Sequence, residues 1–429
     1  MTDSTQLRLK RWRYSTFLVA IIGYIGYYIC RANLSAAFPL MSSHFGYTNA
    51  ELGLIALYSE ISYAIGKFIN GPLGDKVGGK KIFLLGLAGA IISNFVFSLG
   101  SNLIFFIVTW CVCRYFLSMG WGGLTKMIGH WFEPERNGTV MGWVSLNFQF
   151  GGVVATLFAG MIVSMGGDWQ DVFIYPPILA TIILIFSALG SKDSPQDVVP
   201  GTSFGQSTTN KTPVFTDQSE SSWQVVKNLL SLRLFQQLLV FSFLTTFLRS
   251  IFFFWTAKFL VDIGFEAAKG IFMSAIFPFL GCLGTVILGW YTDHHAKNGD
   301  RAQMMWIMLS GLVVSLLLII WALGFQTINQ TLISSLLALC GFFLLGPYSM
   351  SSGALTLDIA GPQKAGTCTG LIDGLGYFGG ALAVWMAGKI SDELGWVQVF
   401  FLLTFMAFLS TLAAWMMSRE FKKRYSQGI

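Results

Sequence analysis

"GPLGDKVGGKK", residues 71–81, and "GWYTDHHAKNG", residues 289–299, are short charged interruptions in long apolar sequence. Aligned on Asp75 and Asp293 they stand 218 positions apart, and a loop that recurs inside an otherwise apolar chain points to an internally repeated architecture. The apolar stretches around them set the class. Runs of about 20 residues, each long enough to cross a hydrocarbon core of ~30 Å as a helix, lie near 14–39, 50–73, 80–101, 103–129, 138–165, 171–190, 234–261, 268–292, 302–324, 329–357, 364–388 and 396–418. The 429-residue chain is 54% hydrophobic and 11% charged, where a soluble domain carries roughly a quarter charged residues. The expectation is an all-α membrane protein of twelve transmembrane helices.

The loops orient these helices, because Lys and Arg near helix ends favour the cytoplasmic side. Arg8, Lys10, Arg11 and Arg13 precede the first run, and Arg419, Lys422, Lys423 and Arg424 follow the last. Lys76, Lys80, Lys81, Arg136, Lys192, Lys227, Arg233, Lys297 and Arg301 occupy the loops on the same side, whereas 40–50 and 325–329 carry no Lys or Arg. Both termini are expected in the cytoplasm. The +6 formal charge follows from this topology and calls for no nucleic acid. The first run is too long for the apolar core of a cleavable leader and lacks its small-residue cleavage site. The six cysteines fall in apolar runs, without CxxC spacing, so no disulfide framework or metal site is expected.

Residues 191–222, "SKDSPQDVVPGTSFGQSTTNKTPVFTDQSESS", are polar and rich in Ser, Thr and Pro, which reads as a flexible cytoplasmic linker. The expected division is therefore a six-helix half at 1–190, a linker at 191–233 and a second half at 234–429. The halves repeat. Arg31, inside what reads as one continuous helix from Phe17 to Phe38, and Arg249 in "FLRSIFFFW" are again 218 positions apart. "DWQDVF" (168–173) and "GWVQVF" (395–400) correspond with the register shifted by nine. Two like-oriented halves about an axis along the membrane normal, with a site between them at mid-bilayer, is an arrangement of secondary transporters.

At this point the residues resemble a known family. "GPLGDKVGGKK" fits the loop signature G-x-x-x-D-[RK]-x-G-x-[RK]-[RK] of the major facilitator superfamily at Gly71, Asp75, Lys76, Gly78, Lys80 and Lys81. Within it, "YYICRANLSAAFP", "YAIGKF", "MGWGG", "HWFEPERNG", "FLRSIFFFW" and "GYFGGALA" look like the organophosphate:phosphate antiporters, a group that includes glycerol-3-phosphate and hexose-phosphate transporters and a hexose-phosphate sensor. The resemblance implies a major facilitator fold in two pseudo-symmetric halves, exchange of a phosphorylated metabolite for inorganic phosphate, no cofactor, a functional monomer and a bacterial inner membrane.

A permanent charge at mid-membrane costs something like 3 kcal/mol on insertion scales, so an intramembrane Arg faces a water-filled cavity or a partner. Equivalent positions in two repeats place Arg31 and Arg249 across one central cavity, where two guanidinium forks can hold one phosphate with parallel N–H···O bonds that an ammonium cannot imitate. The alternative is that each pairs with an acid or caps a broken helix. Lys67 matches a family lysine and either adds positive potential to that cavity or snorkels to the interface. Tyr24 and Tyr28 share the Arg31 face of their helix, and Tyr63 precedes Lys67 by four. These hydroxyls, with Trp121 and Tyr377 at family aromatic positions, either meet substrate or pack.

This sequence also departs from the family. Phe148 stands where those transporters carry a His, and Ala32 and Phe254 stand where the glycerol-phosphate members carry a Lys and an Asp. Glu60, Arg114 and Asp373 are additional intramembrane charges. They form either a charge network, Glu60 pairing with Lys67, Arg114 or a neighbouring helix, or a protonation site that couples transport to H⁺. Gly151–Gly152 and Gly379–Gly380 favour close helix approach. No P-loop or HExxH occurs, so an enzyme is not expected. Besides exchange, a proton-coupled organic anion carrier and a membrane sensor of sugar phosphate fit the same residues.

Overall fold

The computed structural model describes residues 3–132, 134–202, 222–295, 300–325, 327–351 and 354–426. Among them every regular element is helical. In chain order these are α1 (Asp3–Ile29), α2 (Asn33–Phe45), α3 (Asn49–Val77), α4 (Gly79–Phe97), α5 (Leu103–Leu117), α6 (Met119–Trp131), α7 (Pro134–Ser164), α8 (Asp171–Gly190), α9 (Ser222–Ser231), α10 (Arg233–Asp262), α11 (Ala267–Ser274), α12 (Ile276–His295), α13 (Ala302–Leu323), α14 (Gln330–Ser351), α15 (Ala354–Glu393) and α16 (Trp396–Ser426). Among the described residues eleven helices or interrupted helices are long and apolar enough to span a bilayer, and Gln149–Ser164 of α7 supplies a shorter apolar helix. Each expected apolar run thus falls on helix, as a multi-pass membrane protein requires.

Among the described residues three runs are interrupted, and Pro278 accounts for one of the breaks. It has no N–H to donate to the Ser274 carbonyl one turn earlier, and the helix breaks there, between α11 and α12. The break between α5 and α6 falls at Ser118, whose hydroxyl turns back to the Tyr115 carbonyl at 2.7 Å and accepts from Asn70 of α3, also at 2.7 Å. The third interruption, at 30–32, concerns the site.

The described residues fall into two compact units. The first draws on Met1–Leu34 and Ser62–Gln218, the second on Ser35–Ile61 and Ser219–Ile429. In the first, α1 packs on α7 and α8, and α4 on α5, α6 and α8. Its interior holds the interlocked rings of Phe97, Phe106, Trp110 and Phe173. In the second, α12 packs on α14, α10 on α15 and α16, and α13 on α14 and α16. Glycine sets the closest of these contacts: a Cβ on Gly341 or Gly284 would run into the Phe277 or Phe342 carbonyl of the facing helix.

The start of the expected flexible linker is in fact folded onto the first unit. A 3₁₀ turn at Pro195–Asp197 carries a Ser194–Asp197 capping box, and Val198 is buried with Leu9 and Trp131, beside Trp12, Phe132 and Val199. Asp193 accepts the Lys80 backbone N–H at 2.7 Å, and the Lys80 ammonium donates to the carbonyls of Ala188 and Ser191 at 2.7 and 2.6 Å. Trp131 Nε1 donates to the Lys192 carbonyl at 2.8 Å. A polar composition suggests a solvated chain, but here Ser191, Asp193, Ser194 and Asp197 have local partners and the two valines supply an apolar anchor. Residues 203–221, the rest of that stretch, lie outside the described residues.

The 71–81 stretch, expected as a loop, is helical except at Gly78, α3 ending at Val77 and α4 starting at Gly79; Lys80 is tied down, Lys76 and Lys81 are exposed, and Gly78 takes a positive φ of 100° that suits glycine. The burial of Gly71 and the side chain of Asp75 lie outside what is described.

Candidate functional site

The Arg31 helix is broken rather than continuous. α1 stops at Ile29, and the N–H groups of Arg31 and Ala32 both turn back to the Tyr28 carbonyl at 3.0 and 2.9 Å before α2 starts at Asn33. A break at that depth strands backbone groups away from water, which is tolerated only where protein re-satisfies them. Two asparagines do so. Asn94 of α4 donates to the Cys30 carbonyl at 3.1 Å and to its own Ala90 carbonyl at 2.8 Å, and it accepts from Asn33. Asn33 Oδ1 in turn accepts the Leu34 N–H at 3.1 Å. Hydropathy averages over such a point, so the run reads as one helix; Asn94 in "IISNFVF" was the available signal.

The break seats Arg31 among aromatic rings. Its guanidinium carbon lies 5.5 Å from the Tyr28 ring centre and 5.0 Å from that of Tyr63 on α3. The same Tyr63 ring has Arg114 of α5 at 4.4 Å and Lys67 Nζ at 5.6 Å. Tyr24 contacts Tyr28 at 5.7 Å and Trp121 of α6 at 5.6 Å between ring centres. Gly151 of α7 leaves room for this stack, since its Cβ would lie 3.0 Å from Tyr28 Cβ. The first unit therefore gathers Arg31, Lys67, Arg114, Tyr24, Tyr28, Tyr63 and Trp121 into one cluster.

Arg114, expected only as part of a charge network, is fully buried and belongs with the others through Tyr63. Ring faces attract cations by about 0.5–2 kcal/mol each. That favours gathering three positive groups around one ring.

Arg249 sits instead in the unbroken α10 of the second unit, 7% exposed. Its guanidinium lies 4.9 Å from the ring of Tyr348 on α14 and 5.5 Å from that of Phe253. α15 presses on the same helix through glycines: a Cβ on Gly376 would lie 2.7 Å from Thr246 Oγ1, and one on Gly379 2.8 Å from the Phe243 ring. The close approach expected of Gly379–Gly380 is thus present, and it carries Tyr377, buried, and Asp373, half-buried, one turn apart on α15.

Tyr348 escaped the sequence reading because a tyrosine in an apolar helix is ordinarily packing; the preceding Pro347 was the only local oddity. Glu60, in the part of α3 that belongs to the second unit, is buried. The Phe148 side chain lies outside those described. Among the described residues no three His, Cys, Asp or Glu side chains form a group that could hold a metal ion.

Comparison with known proteins places the chain. It is 26% identical over 419 residues to a probable hexose phosphate transport protein of Chlamydia pneumoniae, covering 94% of this chain and 91% of that one. It is 27% identical over 411 residues to the glycerol-3-phosphate transporter of Bacillus subtilis, covering 92% and 89%, and 24% identical over 424 residues to the membrane sensor protein UhpC of Escherichia coli, covering 96% and 94%. The fold is that of a bacterial homolog to the human lysosomal transporter Spinster, crystallised inward-facing and unoccupied, with a TM-score of 0.74 over 96% of this chain and 98% of that one at 15% identity. The sequence profile of the Major Facilitator Superfamily matches residues 20–384. A multi-pass helical protein with that profile over most of its length belongs to the Major Facilitator Superfamily.

Proposed function

We propose that this protein is a secondary transporter that exchanges a phosphorylated organic metabolite for inorganic phosphate by alternating access, with Arg31 and Arg249 as the two arms of the phosphate clamp. The observation that carries the reading is that two arginines at the 218-residue repeat interval are each buried with the guanidinium over aromatic rings, Arg31 at a helix break and Arg249 within α10. The relatives named as hexose phosphate and glycerol-3-phosphate transporters support the substrate class. Lys67 and Arg114 add positive potential beside Arg31, and Tyr24, Tyr28, Tyr63, Trp121 and Tyr377 orient the organic part. Bound anion offsets the cost of enclosing two arginines in a drier cavity, and so permits the swing. The six-helix halves at 1–190 and 234–429 are the bodies that move.

Proteoliposomes test this. Uptake of labelled phosphate or sugar phosphate is expected only into vesicles loaded with phosphate or organophosphate, and Glu60→Gln and Asp373→Asn are expected to leave exchange largely intact. Accumulation into phosphate-free vesicles under a pH gradient, lost in one of these variants, would establish proton coupling instead. A sensor reading is favoured by the UhpC relative. Substrate binding without any exchange in proteoliposomes would support it. The orientation follows from the Lys/Arg asymmetry of the loops: a cysteine added at 327–329 is expected to react with an impermeant thiol reagent outside intact cells, and one at 203–215 is not. The reverse pattern would invert the topology.

A further inference from the structure

The first turn of α3 completes its hydrogen bonding with a carboxylate from the far end of the chain. The first N–H groups of any helix lack an intrahelical acceptor. Here Thr48 and Glu51 form a reciprocal capping box: Glu51 N–H donates to Thr48 Oγ1 at 3.2 Å, and Thr48 N–H to Glu51 Oε2 at 2.9 Å. That leaves the N–H groups of Asn49 and Ala50. Both donate to Asp392, at the end of α15, at 3.0 and 2.6 Å, one to each carboxylate oxygen. Asn49 Nδ2 also donates to Ser391 Oγ at 3.0 Å.

Glycine makes the approach possible. A Cβ on Gly388 would strike the Asn49 carbonyl, and one on Gly53 would lie 3.3 Å from the Val384 carbonyl. The neighbouring stretch joins in, with Ser35 Oγ donating to the Phe253 carbonyl at 2.8 Å and Phe38 packed on Trp255 at 5.1 Å. Residues 35–61, drawn from the first six-helix half, are thereby built into the second unit, while the remainder of α3 belongs to the first.

We propose that Asp392 is a releasable latch: it caps α3 only while the side bearing loops 46–48 and 394–395 is closed, and it lets go when that side opens. The inference rests on the alternating-access reading above. A carboxylate at a helix N-terminus gains from both the N–H bonds and the helix dipole. Asp392 and Ala50 remain in reach of water, so the broken bonds can be re-made to solvent, and the capping box holds α3 folded in either state. Asp392 is a positioning residue that sets the balance of the two states and does not touch substrate.

The test is a cysteine at Ala56, buried on α3 one turn after Gly53, probed in intact cells with an impermeant maleimide. Asp392→Asn is expected to raise its labelling at least about fivefold, and Asp392→Ala further. The buried native thiols Cys30, Cys113 and Cys340 should stay unreactive, whereas general unfolding would expose them as well. Unchanged labelling at Ala56→Cys in both folded variants would make Asp392 a static cap and overturn the latch.

Should the variants not fold, the pair Ala50→Cys with Asp392→Cys decides. Oxidative cross-linking should abolish exchange and reduction should restore it, and undiminished exchange when cross-linked would refute release. A failure of the alternating-access reading looks different, because the parent protein would then show no exchange and no phosphate-dependent change at Ala56→Cys.

Discussion

Replacing Arg31 or Arg249 by lysine is expected to lower phosphate exchange at least about tenfold, with the protein still folded and inserted. Lysine keeps the charge and most of the length, so any effect of net potential should survive. What it loses is the planar fork, which gives two parallel N–H···O bonds to phosphate and lies flat over an aromatic ring. Arg31 has Tyr28 and Tyr63 for that purpose, and Arg249 has Tyr348 and Phe253. Losing one fork costs at least about 1.4 kcal/mol, a factor of ten in binding. Because the arms are equivalent in the repeat, the two variants should be impaired alike. Near-normal exchange in both would remove the clamp and leave the arginines a packing role.

The second large effect is expected at Asn94, which braces the helix break. Leucine in its place has a similar volume but strips the Cys30 carbonyl and Asn33 of a buried partner. Each group stranded away from water costs about 1–3 kcal/mol. Intramembrane hydrogen bonds average only about 0.6 kcal/mol in double-mutant cycles because the unfolded helix finds other partners. A helix held open at 30–32 has no such freedom, so the larger figure should apply here. Asn94→Leu is therefore expected to lower the thermal midpoint in detergent by several degrees and to reduce exchange, since it loosens the seat of Arg31. Asn33→Leu combined with Asn94→Leu should recover part of the loss, because both side-chain partners are then gone together. Strict additivity of the two changes would show that the pair is not a coupled brace.

The contrast between these two experiments separates what could be read along the chain from what could not. Arg31 and Arg249 were legible because a charge in an apolar run is visible without knowing its neighbours, and their 218-residue interval needs only counting. The same holds for the helices, whose hydropathy is a property of each segment alone. Arg114 was legible as a charge, but its place beside Tyr63 was not, because that contact joins α5 to α3. The polar start of the linker misled for a related reason: Asp193 and Val198 look solvent-bound until Lys80, Leu9 and Trp131 are brought to them.

Segment-level physics, meaning the burial of apolar side chains in lipid and the cost of moving lysine and arginine through it, was enough to define the helical membrane class, the repeat and the two arginines. Hydrogen bonds between distant parts of the chain decided the rest: the break that holds Arg31, braced by Asn94, and the sharing of α3 between two units, with Asp392 capping it. A helix end or a broken turn has free N–H and C=O groups whatever its sequence, and only the tertiary structure says which distant side chain satisfies them.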